Sequence, residues 1–444
     1  MASWSKLKWV IKMNSVWKET SSIGKFNSLN GDIKTDVLII GGGITGVLCA
    51  YFLEKSGINY ILIERDRICS SVSANTTAKI TSQHSLIYDK LIRQFGTEKA
   101  KLYYEANEEA IEKYRKLSKN IDCDFEDKNS YVYSLQNRGI LEKEMAALEK
   151  INCKAELLDT ISLPLKTVGA IRFSHQAQFN PLKFLSEISK GLNLYENTAA
   201  ISFDGENVIT NRGKVTASKI IVATHFPIFN KHGLYPLKMY QHRSYVLALE
   251  NAPDFNGMYV DAAENGMSFR NYKNLLLIGG GDHKTGKMGG NFRELQNFYK
   301  TYYPDANEKY RWATQDCMTL DSVPYIGEYS KGSKNLYVAT GFNKWGMTSS
   351  MVAASLLCDL VLEKENKYSS LFSPSRSIFR PQLFINAFES AKNLLTFRTP
   401  RCPHLRCALK WNPVEHSWDC PCHGSRFDKK GRLLEGPATG DLEL

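Results

Sequence analysis

The sequence predicts an α/β protein: a discontinuous parallel-sheet domain, an antiparallel-sheet region of α+β character inserted into it, and a small all-β segment at the C-terminal end. Three observations predict this. Buried-strand patterns that run into a glycine turn or a polar stop recur at residues 35–64, 217–225 and 335–361. Short strands with alternating apolar positions fill much of 236–319. The stretch CPHLRCALKWNPVEHSWDCPCHG, residues 402–424, gathers four cysteines and three histidines.

Length and composition bound what these elements can build. With 444 residues, 43% apolar and 23% charged, the chain reads as an ordinary globular protein with room for two or three domains. It holds no uninterrupted apolar run of bilayer-spanning length. Its start, MASWSKLKWVIKMNSVW, is basic without an apolar core, so residues 1–32 read as a short solvated extension, with peripheral membrane contact the alternative. Met13 is a second possible initiator. The net charge of +11 comes from lysines and arginines interleaved with acids, and no nucleic-acid-binding signature accompanies it. Such a surface attracts anionic ligands. Six cysteines, Cys49, Cys69, Cys123, Cys153, Cys317 and Cys358, stand singly beside apolar residues, as in a reduced, cytoplasmic compartment.

The first element is TDVLIIGGGITGVLCAYFLEKSGINYILIE, residues 35–64. The run VLII suits a buried parallel strand. Gly41, Gly43 and Gly46 come next in G-x-G-x-x-G spacing and open a helical pattern that ends at Gly57. Gly41 permits the tight turn, Gly43 the close approach of a pyrophosphate, and Gly46 the contact of helix with strand. The helix N-terminus offers N–H groups to phosphate. Glu64, closing the second strand, is placed to accept hydrogen bonds from a ribose. The unit is a Rossmann-type dinucleotide site.

From Glu64 onward the stretch ERDRICSSVSANTTAKITSQHS is loop-like and rich in hydroxyls. With ASKIIVATH (217–225) and NLYVATGFNKWGMTSSMVAASLLCDLV (335–361) it makes one domain from separated pieces. The ordered set DVLIIGGGITG, TTAKITSQH, IVATH, TLDSVPYIG (319–327) and ATGFNKWGMTSS (339–350) resembles the D-amino acid oxidase and glycine oxidase superfamily of FAD-dependent oxidoreductases, from about residue 33 to 385. The resemblance implies that Gly41, Gly43, Gly46, Glu64 and Arg65 hold the ADP half of FAD. It also implies that Thr77, Ala78, Gly327, Gly341, Gly346, Met347 and Thr348 lie along the flavin. The FAD-binding parts are expected at about 33–95, 165–235 and 320–390, and the substrate parts at about 96–164 and 236–319, within an oxidoreductase unit spanning 33–395.

Members of that superfamily take a hydride from the carbon beside an amine, so the resemblance implies a small-molecule amine or amino-acid substrate. A substrate carboxylate needs an arginine or lysine. Arg243 and Tyr245, two apart on one strand face, and Arg270 interrupt apolar strands and are the substrate-positioning candidates, with Trp345 facing the ring. The alternative for each arginine is a strand end at the surface. Lys344 stands where the family turn often has glycine. Cys317 reads as a buried thiol.

The terminal cluster pairs Cys402-x-His404 with Cys420-x-x-His423 across a hairpin through WNPVEHSW. Two cysteines and two histidines suit either a tetrahedral zinc or a [2Fe–2S] cluster with thiolates on one iron and imidazoles on the other. His416 reads as a loop residue. CPH, CPCHGSRF and GPA resemble the cluster-binding part of Rieske iron–sulfur proteins, which implies Cys402, His404, Cys420 and His423 as ligands of the cluster. Cys407 and Cys422, one in each knot, are then expected to form a disulfide, with Arg406 standing where a glycine is usual. The segment 400–444 is shorter than a full Rieske domain and too small to bury much core alone, so it should lean on the flavoprotein.

The expected function is an FAD-dependent oxidation whose electrons pass through the cluster to an external one-electron carrier. The rivals are a plain flavin oxidase using dioxygen with a zinc-bound or vestigial tail, and an electron-transfer protein without small-molecule turnover.

Overall fold

The apolar run before the glycine turn becomes the strand Ile33–Ile40 at the centre of a parallel sheet. It pairs with Tyr60–Ile63 on one side and Gly213–Val222 on the other. Leu194–Tyr195 extends the first side and Leu336–Thr340 the second, with Tyr325–Glu328 antiparallel at that edge. The discontinuous domain is therefore assembled from the pieces the patterns marked. Two helices apolar on most faces, Ile44–Lys55 and Gly346–Val361, pack against each other and bury most of their residues. The computed structural model describes residues 13–229, 233–396 and 399–443.

A second, nine-stranded sheet takes in the strands expected to form the substrate region. Its order is Asn307–Thr319, Met239–Glu250, Leu275–Lys284, Ser268–Tyr272, Met258–Asp261, Glu126–Ser134, Gly169–Gln178 and Lys79–Ile80, with Ala155–Leu158 beside Gly169–Gln178. All pairs are antiparallel except Met258–Asp261 with Glu126–Ser134. Lys79–Ile80 matters because it carries the chain from the nucleotide sheet to the edge of this one, so residues 76–79 lie between the two.

The solvated extension expected at the start needs correction for its second half. Ser15 caps the helix Val16–Thr20, and Trp17 is fully buried, its indole N–H donating to Thr76 O at 2.7 Å and its ring set edge-on to Tyr272 at 4.7 Å. An indole flanked by lysines reads as surface until the Thr76 carbonyl is in place. The first twelve residues, with the Trp/Lys alternation and the question of Met1 against Met13, lie outside the described residues.

After the helix Pro381–Leu394 the chain forms a four-stranded antiparallel sheet: Lys410–Asn412, Ser417–Asp419, Arg426–Asp428 and Leu433–Glu435. Its core is small, chiefly Leu409, Phe427, Ala438, Leu442 and the four cysteines. The segment lies hard against the rest of the chain: a Cβ on Gly424 would sit 2.7 Å from the Gln241 side chain, and one on Gly286 would sit 2.8 Å from Pro421. Among the described residues, no helix is long and apolar enough to cross a membrane.

Candidate active site and cluster site

The glycine loop is built as the spacing predicts. Gly41 has φ +110°, and a Cβ there would lie 2.6 Å from Ala223 O. A Cβ on Gly46 would lie 1.9 Å from Gly41 O, so only glycine lets the helix start touch the turn. Gly43 caps a helix with no acidic residue in its first turn, which leaves the positive end available to phosphate. Glu64 accepts from Gly42 N at 2.7 Å and from Asp66 N at 2.9 Å. Burial raises its carboxyl above the ordinary value, with the two N–H donors opposing. Arg65 pairs with Asp66 near the surface. This cradle fits the ADP half of FAD.

From the loop a cavity of about 760 Å³ runs between the sheets. Thr77, Lys79, Gly341, Trp345, Gly346 and Met347 line it. Gly341 needs its glycine: at φ +72° a Cβ would meet Thr319 Cγ2 at 2.3 Å. Trp345 stacks on His84 at 4.9 Å and 14°. Three residues expected along the flavin do not line the cavity. Thr348 points to His84 and Thr81, 3.0 Å and 3.2 Å away, because its position on the helix turns it from the cavity. Gly327 faces Pro374, where a Cβ would lie at 3.3 Å. Ala78, at φ +53°, contributes its carbonyl to Arg270.

The substrate-positioning expectation is corrected for both arginines. Arg270 is buried behind the cavity wall; its Nη1 donates to Thr77 O at 2.6 Å and Ala78 O at 2.9 Å, and its guanidinium sits over Trp17 at 5.4 Å. It braces the loop that carries Thr77 and Ala78. Arg243 turns to the C-terminal segment, where Glu415 and Glu435 take its guanidinium, with Nε at 2.8 Å from Glu415 and Nη1 at 3.1 Å from Glu435. Tyr245 does line the cavity, and its hydroxyl donates to Glu415 at 3.1 Å beside His283 Nε2 at 3.0 Å. Arg426 closes the cluster of charges, bonding Asp419 at 2.9 Å and Glu415 at 3.0 Å.

Lys344, already marked as a departure in its turn, is joined at the site by Lys79 and Asp316, which the sequence did not single out. Lys344, at φ +71° where glycine is usual, forms an ion pair with Asp282. Lys79 Nζ reaches Thr77 Oγ1 at 3.1 Å and Ser268 Oγ at 3.3 Å; burial, reinforced by Arg270, lowers it to about 7. Asp316 also lines the cavity, and its carboxylate makes no hydrogen bond or ion pair among the described residues; burial raises it to about 6, with Lys344 opposing and Asp282 adding. The alternation of the strand 307–319 places Asp316 on a defined face, but which face meets the cavity depends on the sheet pairing. Cys317 is a buried thiol on the cavity wall, as expected.

The end of the C-terminal segment completes the same cavity: Leu434, Glu435, Gly436, Ala438 and Thr439 line it. In the same segment, Cys402 and Cys420 are fully buried, and the His404 and His423 rings lie 4.9 Å apart at 84°. His423 Nδ1 is buried with no hydrogen-bond partner among the described residues, as a metal-directed nitrogen would be. This set of two thiols and two imidazoles fits the Rieske cluster. The expected disulfide is corrected: all ten cysteines are free, though the sulfurs of Cys407, Cys420 and Cys422 lie within 4.8 Å of one another. Arg406 adopts the left-handed conformation, φ +61°, that a glycine would take without cost, and its N–H still closes the turn onto Cys402 O at 2.9 Å. His416 is an exposed loop residue, as read.

A glycine-cradled dinucleotide site opening on an antiparallel substrate sheet, with a two-cysteine, two-histidine segment across its mouth, defines a flavin oxidoreductase with an iron–sulfur module. The chain belongs to the FAD dependent oxidoreductase (DAO) family, whose model matches residues 36–360, and it carries a Rieske [2Fe-2S] domain matched over 379–443. It is 36% identical over 490 aligned positions, covering 96% of each chain, to the Bacillus subtilis (strain 168) protein YhfW, described as a Rieske 2Fe-2S iron-sulfur protein. It is 23% identical to gamma-glutamylputrescine oxidoreductase of Escherichia coli (strain K12), over 76% of this chain and 85% of that one. Its fold is similar to the crystal structure of glycine oxidase from Geobacillus kaustophilus, with TM-score 0.66 and 19% identity, covering 78% of this chain and 99% of that one. The protein is an FAD-dependent oxidoreductase that binds FAD and a [2Fe–2S] cluster.

Proposed function

We propose that the chain oxidises the C–N bond of an amine or amino acid and sends the electrons through its Rieske segment to an external one-electron carrier. The observation that carries this reading is the shared cavity: residues 434–439, from the cluster-bearing segment, line the same space as the glycine loop. FAD supplies hydride acceptance and the [2Fe–2S] cluster one-electron transfer.

The chain's own residues provide the setting. Gly41, Gly43 and Glu64 hold the adenylate end, and Arg270 fixes the carbonyls of Thr77 and Ala78 at the flavin end. Lys344 is neutralised by Asp282, and Asp316 offers an acceptor to a substrate ammonium. The arginines that line the cavity, Arg65 and Arg67, stand at the adenylate end, so a substrate carboxylate at the reacting end falls to a lysine of the lining, Lys79 or Lys90. Leu434 and Gly436 close the mouth and limit water. The names of the relatives, gamma-glutamylputrescine oxidoreductase and glycine oxidase, support an amine or amino-acid substrate.

The test is a purified protein assayed for flavin, iron and acid-labile sulfide, then mixed anaerobically with a panel of amines and amino acids. Bleaching of the flavin and then the EPR signal of a reduced histidine-ligated cluster are expected. Zinc in place of iron, or a flavin that bleaches while the cluster stays oxidised, overturns the reading.

A further inference from the structure

We infer that Phe226 is the contact through which electrons cross between the flavin cavity and the cluster, and that the histidine side of the cluster faces the flavin. The inference rests on the proposed function, since it assumes that both cofactors serve one reaction within one chain.

The stretch Ala223–Phe226 continues the parallel strand Gly213–Val222 and touches both sites. At its start, Ala223 O lies against the Gly41 turn, where a Cβ would be 2.6 Å away. Ala223, Thr224, His225 and Phe226 all line the cavity. At its end, the Phe226 ring stands edge-on to both cluster histidines, 6.2 Å from His404 at 79° and 6.2 Å from His423 at 66°. Four consecutive residues thus join the dinucleotide turn to the two imidazoles. The ring is buried, and Thr224 Oγ1 donates to Phe226 O at 2.8 Å, which fixes the turn that presents it.

The partner loop is fixed from the substrate sheet. Gln241 Nε2 donates to His423 O at 2.6 Å and Gln315 Nε2 donates to Gly424 O at 2.8 Å, both from buried side chains. With Arg243 holding Glu415 and Glu435, the cluster loop is anchored on the flavoprotein on two sides. Electron transfer weakens steeply with every gap in packing along its path. An aromatic ring packed between cavity and ligands fills that gap with polarisable atoms, and its neighbours hold it there.

The balance is simple. Oxidation of one substrate C–N bond leaves two electrons on the flavin. The cluster accepts one at a time, one ferric iron becoming ferrous. Two passages past Phe226 therefore return the flavin to its oxidised form, with the external carrier reoxidising the cluster after each and the protons released to solvent. Phe226 is a positioning residue in this scheme.

The experiment uses the full-length holoenzyme with Phe226→Leu, which nearly conserves volume, and Phe226→Tyr, which keeps the ring. Flash reduction by a deazaflavin radical, under anaerobic conditions, reports how fast flavin and cluster equilibrate. EPR reports the cluster's g-values and midpoint potential. Expected are unchanged cofactor content, g-values and potential in both variants, severalfold slower equilibration in Phe226→Leu, and the wild-type rate in Phe226→Tyr. In the wild type, spin–spin splitting of the flavin radical by the reduced cluster should be visible. Equilibration as fast in Phe226→Leu as in the wild type, with that splitting present, overturns the bridge alone. A wild-type protein that shows neither equilibration nor splitting overturns the proposed function as well.

Discussion

Arg243→Ala strips two buried carboxylates of a shared cation. Burial pushes the Glu415 carboxyl up, but Arg243 and then Arg426 overcome that and hold it at about 2 against an ordinary 4.5. At about 1.4 kcal/mol per pH unit, the gap sets a scale of about 3 kcal/mol, in line with the roughly 3–5 kcal/mol lost when one partner of a buried ion pair is removed. Glu435 is lowered by the same two arginines against its burial. Because this charge cluster joins the C-terminal segment to the strand Met239–Glu250, the loss should appear as undocking of that segment. The assay is trypsin cleavage between residues 395 and 402 of the holoprotein at neutral pH. Where opening is fast relative to cleavage, a loss of about 3 kcal/mol raises the cleavage rate roughly a hundredfold. A carboxylate depressed in the folded state stabilises above its unfolded value, so the wild type should lose this contribution as pH falls from 4.5 toward about 2. Equal cleavage of variant and wild type at neutral pH would refute the assignment of docking to this cluster.

Three further outcomes are expected. Arg406→Gly removes a left-handed backbone cost of about 1–2 kcal/mol, partly offset by the added freedom of the unfolded glycine, so the cluster absorbance should survive chelator or heat longer; faster loss would mean that the arginine side chain itself supports the loop. Asp316→Asn should stabilise the flavin-free protein by up to about 3 kcal/mol above pH 6 and leave it unchanged near pH 3, because the folded carboxyl is raised from 3.8 to about 6 and its ionised form is the costly one; denaturant midpoints at the two pH values decide this. Cys402→Ser should abolish the cluster's EPR signal while flavin absorbance is retained, since Cys402 lies in the C-terminal core and does not line the flavin cavity; loss of both together would show that the two sites assemble as one.

Much of this was legible in the sequence where the chemistry is local. The glycine turn, its helix and Glu64 lie within one short unit whose backbone geometry dictates residue type, and Gly46 could be nothing larger. Each pair of cluster ligands sits within one loop. The features that escaped reading depend on distant partners. Arg243 looks like a substrate arm until Glu415 and Glu435, 172 and 192 residues further on, are folded against it. Trp17 finds Thr76 at a separation of 59 residues, and Arg270 finds Thr77 at 193. Phe226 carries no motif, and its contact with the two imidazoles exists only once a segment nearly 180 residues downstream has docked. Polar residues interrupting apolar strands signalled that something binds there, but not whether the partner is a substrate or another part of the chain.

The wall formed by Leu434 to Thr439 has a consequence for biosynthesis. The ribosome emits the glycine turn hundreds of residues ahead of this wall, so the flavin chamber stays open on one side while the stretch between them is made. The chamber is therefore walled in full only after residues 434–439 have been made and docked, and a flavin bound before then rests on the glycine turn and the two larger sheets alone.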